Sequence, residues 1–159
     1  MTSKKMILRP KIALYEPDIP QNTAAIIRTC SCLDVMVEII EPCGFMLNDK
    51  RFKRVVMDYL DKTMIKFYRN FDEFLETKKR GNERIILMTT KASRAYTKFS
   101  FNMKDTILFG RESAGVPNKI HSLADNRLKI PMSNKKRSLN LSTSVAIVLS
   151  EAMRQNGLI

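Results

Sequence analysis

Between Ser138 and Ser144 the chain sets Ser138, Asn140, Ser142, Thr143 and Ser144 at the start of a predicted helix, five hydrogen-bonding side chains within two turns. A helix start needs one capping group. The surplus supports two readings: an over-capped amphipathic helix, or a polar ligand held on hydroxyls and free backbone N–H groups. A second candidate is Phe109-Gly110-Arg111-Glu112-Ser113-Ala114-Gly115-Val116-Pro117. Its two glycines permit a backbone path that side chains would block, and Glu112 supplies a carboxylate between them. The third is Pro20-Gln21-Asn22-Thr23 with Arg28 beyond it. Alone, Asn22 reads as a helix cap and Arg28 as a surface charge.

Several chemistries are excluded by spacing. Gly110-x4-Gly115 continues as Val116-Pro117 rather than Lys-Ser, so it is no phosphate-binding P-loop, and no G-x-G-x-x-G occurs. Glu112-Ser113-Ala114-Gly115 resembles half of a hydrolase elbow, but Arg111 stands where that elbow needs glycine. The single histidine, His121, and the three cysteines Cys30, Cys32 and Cys43, with no CxxC, do not make a zinc site or a disulfide framework. The cysteines read as free thiols of a reducing cytoplasm.

The chain of 159 residues carries 28 Lys and Arg against 16 Asp and Glu, a net charge of +12. The basic residues fall in bunches: Lys4-Lys5, Lys50 to Arg54, Lys78 to Arg80, Lys91 to Lys98 and Lys135 to Arg137. Bunched positive charge is the footprint of a polyanion, most simply nucleic acid. Apolar runs such as Arg84-Ile85-Ile86-Leu87-Met88 are far shorter than the roughly 18 residues of a membrane span. The N-terminus does not read as a signal peptide. One domain over residues 1–159 is expected.

Strands and helices must position the three groups. Strands are predicted over Lys11–Tyr15, Val35–Ile40, Ile65–Tyr68, Arg84–Thr89, Thr106–Phe109 and Arg127–Ile130. Helices are predicted over Asn22–Cys32, Arg51–Leu60, Asp72–Lys79, Asn118–Leu123 and from Leu141 to an Asn156-Gly157 stop. The stretch from Ala92 to Met103 is ambiguous. Strands alternating with helices imply an α/β fold, a mostly parallel sheet with helices on both faces. In such sheets ligands sit off the carboxyl ends of strands. The loops after Thr89, Phe109 and Ile130 lie there.

The three groups in order resemble the three motifs of the SPOUT RNA methyltransferases, TrmH-like branch: Asn22…Arg28, Phe109-Gly110-x-Glu112-x-x-Gly115-x-Pro117, and Ile130-Pro131-Met132…Ser138-Leu139-Asn140-Leu141-Ser142. The likeness is closer to the small tRNA (cytidine/uridine-2′-O)-methyltransferases of the TrmL (YibK) type. Leu14 to Thr23, Ile40-Glu41-Pro42…Gly44-Phe45, Asp49-Lys50-Arg51 and Met57-Asp58-Tyr59 extend it over nearly the whole chain. The resemblance implies the SPOUT fold, with a deep C-terminal trefoil knot, working as a homodimer whose active site is shared across subunits. It implies S-adenosylmethionine as methyl donor, without a metal, held at Met88, Gly110, Ile130, Met132, Ser138 and Leu139. It implies 2′-O-methylation of the wobble cytidine or uridine of tRNA, in the cytoplasm. Arg28 matches the residue assigned as catalytic, and Asn22, Glu112, Asn140 and Ser142 would complete the polar shell. Another tRNA site, rRNA, or non-catalytic RNA binding are the alternatives. The chain departs from the family pattern at Ala24-Ala25, where Gly-Asn is usual, near Val56, and at Asp34, where glycine is commoner.

Overall fold

The computed structural model describes residues 7–56, 64–133 and 138–159. Lys4-Lys5, Met57-Asp58-Tyr59, the second half of the helix predicted to Leu60, and Lys135 to Arg137 lie outside the described residues. In chain order the elements are β1 (Lys11–Tyr15), α1 (Pro20–Cys32), β2 (Val37–Ile40), α2 (Lys50–Val56), β3 (Ile65–Tyr68) and α3 (Phe71–Arg80). Then follow β4 (Ile85–Met88), a 3-10 turn at Tyr96–Lys98, β5 (Thr106–Phe109), α4 (Asn118–Leu123), β6 (Asn126–Leu128) and α5 (Leu141–Gln155). The strands form one six-stranded sheet in the order β3-β2-β1-β5-β4-β6, with every pairing parallel.

Parallel strands are covered on both faces, so their sequences are apolar almost without interruption. Ile12 and Leu14 of β1 point to a core shared with α1, α2 and α5, through Ile26, Ile27, Phe52, Val148 and Leu149. Ala13 and Tyr15 point to the opposite face, where Phe74 of α3 and Ile120 of α4 close a smaller core. The α/β expectation is met.

Two boundaries move for local reasons. Helix α1 begins at Pro20 rather than Asn22, because proline at the first helical position loses no hydrogen bond. Its end is a Schellman-type stop: Val35 N donates to Cys30 O at 2.9 Å and Asp34 N to Ser31 O at 3.3 Å. That bond uses Val35, so β2 starts later than predicted, at Val37. Asp34 takes φ of +60° there, a left-handed conformation that glycine adopts most readily. Helix α5 ends the same way, with Gly157 at φ +67° and Leu158 N bonded to Met153 O at 2.9 Å.

The ambiguous stretch, 92–103, is fixed by tertiary partners. Phe101 N donates to Gln155 Oε1 at 2.8 Å, and Gln155 Nε2 donates to Phe99 O at 2.9 Å. The guanidinium groups of Arg84 and Arg94 lie 5.0 and 5.2 Å from the centre of the Phe99 ring. None of these partners is nearby in sequence except Arg94.

One ion cluster sits inside the smaller core. Lys78 and Glu38 are each 1% exposed; Lys78 Nζ donates to Glu38 Oε1 at 2.8 Å and to Glu83 Oε2 at 3.0 Å. Tyr68 OH donates to Glu38 at 3.2 Å, and Lys11 pairs with Glu83 at 2.5 Å. This satisfies Lys78, so its charge is spent inside the core and not on the basic bunch Lys78 to Arg80. Lys78→Met leaves Glu38 charged and buried without its cation and is expected to cost about 3–5 kcal/mol of stability by urea unfolding. Asp34→Val is expected to cost about 1–2 kcal/mol in the same assay, whereas Asp34→Gly should not lower stability.

Candidate active site

The parallel register gathers the carboxyl ends of four strands. Met88 pairs with Phe109 on one side and with Leu128 on the other, and Leu14 pairs with Phe109. From β1 the chain proceeds to β2 on one side; from β5 it proceeds towards β6 on the other. Neighbouring strands whose connections diverge leave a crevice at their carboxyl ends, where α/β proteins bind ligands. Here the crevice opens into a cavity of about 490 Å³. That falls in the range of about 300–1,000 Å³ typical of small-molecule sites.

The wall from β5 is a tight turn. Arg111 N donates to Gly115 O at 3.1 Å and Gly115 N to Arg111 O at 2.8 Å, so Glu112, Ser113 and Ala114 form a three-residue loop. Gly115, which closes the loop, sits at φ +65°, a left-handed conformation that glycine adopts at no steric cost. Gly110 must be glycine for a separate reason: a Cβ there would lie 2.6 Å from the carbonyl carbon of Gly115. The two glycines therefore serve different ends, close approach at one and backbone conformation at the other.

All six residues expected to hold the donor (Met88, Gly110, Ile130, Met132, Ser138 and Leu139) line the cavity. So do Asn22, Glu112 and Asn140. A polar line joins the three motifs. Asp18 N donates to Glu112 Oε2 at 2.8 Å, and Asn22 Nδ2 reaches Glu112 Oε1 across a long 3.5 Å. Asn140 Nδ2 donates to Asn22 Oδ1 at 3.0 Å.

The rich polar start of α5 is partly a cap after all. Asn140 Oδ1 accepts from Ser142 N at 3.0 Å, Thr143 N at 3.3 Å and Ser142 Oγ at 2.6 Å. Ser144 Oγ donates to Asn140 O at 3.1 Å. Ser142 thus acts on Asn140 and does not itself line the cavity. Asn140 does both jobs: its oxygen caps the helix while its amide reaches Asn22.

Arg28 is not brought to this cavity. It lies six residues after Asn22 on α1, about 240° further round the helix, and its side chain is exposed. Ser144 of the polar helix start lines the cavity as well, and so do Ile19, Thr89, Thr90, Lys91, Arg111 and His121, none of them among the expected site residues. Thr89 to Lys91 were within reach of the sequence, since they follow a predicted strand at its ligand-binding end.

The electrostatics around the turn are strongly paired. Arg111 holds Asp18 through Nε at 3.0 Å and through Nη2, and contacts Glu16 at 3.3 Å. The guanidinium, with the Ser113 hydroxyl and N–H, pulls the Asp18 carboxyl down to about 2. Ser113 Oγ donates to Asp18 at 2.5 Å, so the hydroxyl of the half-elbow is committed to a carboxylate. Burial, then Lys91 and Arg127, lowers the pKa of His121. Burial, then Glu41, Glu112 and Glu16, raises the Cys43 thiol to about 11. The cavity is an apolar slot (Met88, Phe109, Val116, Ile130, Met132, Leu139) with a polar edge at Asn22, Glu112 and Asn140. An aromatic heterocycle suits the slot, and exposed backbone groups beside glycine suit its hydrogen-bonding edge.

Comparison with known proteins agrees with this geometry. Residues 9–150 match the SpoU rRNA Methylase family. A Beijerinckia indica protein named tRNA (cytidine(34)-2'-O)-methyltransferase is 47% identical over 146 residues, covering 92% of this chain and 91% of that one. An Escherichia coli K12 protein of the same name is 39% identical over 148 residues, covering 92% and 93%. A solved structure concerned with the 2-OH methylation of C/U34 on tRNA superposes with a TM-score of 0.89, at 34% identity, over 94% of this chain and 97% of that one. With its six-stranded parallel sheet, its three motifs converging on one cavity and this match over most of its length, the chain belongs to the SpoU rRNA Methylase family.

Proposed function

We propose that this chain is a tRNA 2′-O-methyltransferase that transfers the methyl group of S-adenosylmethionine to the ribose of the wobble cytidine or uridine. The observation that carries the reading is the meeting of Asn22, Glu112 and Asn140, from three distant segments, at the edge of a cavity lined by Gly110, Met88 and Ile130. The relatives' names and the extent of their identity supply the substrate.

The donor supplies a methyl group already activated on a sulfonium, so no metal is required. Backbone groups at Met88, Gly110 and Ile130 hold the adenine, Met132 and Leu139 cover it, and Ser138 binds a polar group of the donor. Asn22 and Asn140 orient the acceptor ribose, with Ser142 fixing Asn140. Glu112 fixes Asn22. Arg28, a permanent cation, orients the acceptor phosphate and stabilises the developing 2′-oxyanion.

Arg28 does not line its own chain's cavity, which suits an active site assembled across two subunits of a homodimer. The chain forms one SPOUT domain with a C-terminal trefoil knot. The exposed bases Lys50, Lys53 and Arg54 of α2 are placed to grip tRNA phosphates. A tRNA-modifying enzyme with free thiols fits the cytoplasm.

Incubation with labelled S-adenosylmethionine and total tRNA from cells lacking this protein is expected to place label on a wobble 2′-oxygen. Label at another tRNA position or only on rRNA would overturn the substrate; tRNA binding with no uptake of donor would overturn the enzyme. Arg28→Ala should lower kcat by about 10²–10³ while donor binding stays at the parent level. Parent-like turnover would remove Arg28 from the site. Affinity for tRNA should fall on the order of tenfold or more between 50 and 200 mM salt, read by filter binding.

A further inference from the structure

Asp18 does not line the cavity, yet its carboxylate accepts four hydrogen bonds from the turn that does. It lies in the loop between β1 and α1, four residues before Asn22, with its carboxylate 17% exposed. Every residue from 111 to 113 is tied to it. Arg111 donates through Nε at 3.0 Å and through Nη2. Ser113 donates its N–H at 3.0 Å and its hydroxyl at 2.5 Å to the other carboxylate oxygen. Glu112, between them, receives the Asp18 backbone N–H at 2.8 Å. The exchange is reciprocal: the side chain of Asp18 fixes the backbone of the turn, and the backbone of Asp18 fixes the side chain of the turn.

Asp18 is itself held from behind. Gly44 N donates to Pro17 O at 2.8 Å, and a Cβ on Gly44 would stand 3.0 Å from both Asp18 Cα and Oδ1. The carboxylate has one place to be. The turn it grips has little freedom of its own, since the Gly110–Gly115 approach leaves no room for an extra atom.

We propose that Asp18 is a positioning residue: acting through Arg111 and Ser113, it sets the 110–115 wall of the donor cavity and aims the Glu112 carboxylate at Asn22. This rests on the donor-binding reading given above. It assigns Arg111, which lines the cavity, to holding Asp18 and Glu16 and not to binding a ligand anion.

The test is a double-mutant cycle on the full chain with Asp18→Asn and Arg111→Gln, measured as KM for S-adenosylmethionine, KM for tRNA and kcat. Each single variant is expected to raise the donor KM about tenfold, with the tRNA KM within twofold of parent. The double variant should cost no more than the worse single, because both break one unit; independent structural damage would add. Circular dichroism and melting temperature establish that each variant is folded. Should Asp18→Asn fail to fold, Arg111→Gln paired with Ser113→Ala, at a half-buried and an exposed position, tests the same unit. A donor KM within twofold of parent in the single variants, or additive effects, would overturn the proposal. A parent protein that takes up no donor overturns the underlying reading and this one with it, and is measured first by calorimetry.

Discussion

The constraint on which the rest depends is the parallel register at the centre of the sheet. Leu14, Phe109, Met88 and Leu128 stand side by side at the carboxyl ends of β1, β5, β4 and β6. Because all the strands run the same way, the segments that follow them emerge at one edge. Asn22 and Asn140, 118 residues apart in sequence, become hydrogen-bonded neighbours there. The apolar continuity of the strands, demanded by burial on both faces, drives this assembly, and the site inherits its geometry from it.

Polar groups are arranged around that frame so that few are spent on solvent. Asn140 caps α5 and reaches Asn22 with the same side chain, while Asp18 neutralises Arg111 and orders the turn that bears Glu112. Bonds like these fix side-chain directions before any ligand arrives, which is how a site avoids reorganisation during reaction. The buried Lys78–Glu38 pair plays a different part. Removing two charges from water offsets most of their attraction, so its role is better described as specifying how α3 docks on β2 than as adding stability.

Two departures from the family's commoner sequence now have physical content. Asp34 occupies a left-handed position at the end of α1, where an aspartate is better tolerated than most residues but less at ease than glycine. It acts on the backbone at the far end of α1 from Asn22. Ala24 is fully buried in the larger core and Ala25 half-buried, so the first turns of α1 present fewer polar groups than a Gly-Asn pair would.

The α/β class, the six strands, the helices as far as the described residues reach, and the three motifs are legible in the sequence. Hydrophobic runs and capping residues act over short spans, and they are written locally. The sequence also marked Gly110 and Gly115 as places where the backbone needs freedom. Tertiary structure alone decided which residue does what. The order β3-β2-β1-β5-β4-β6 cannot be read from a pattern that says only that strands are buried. Local sequence left residues 92–103 undecided, because Gln155, Arg84 and the Phe99 ring supply their partners from elsewhere. Lys78 looked like surface charge until its acid, 40 residues away, was found buried beside it. Asp18 looked like part of a loop signature, and its grip on Arg111 and Ser113 spans more than 90 residues. Such contacts depend on distance in space, which folding sets and spacing along the chain does not encode.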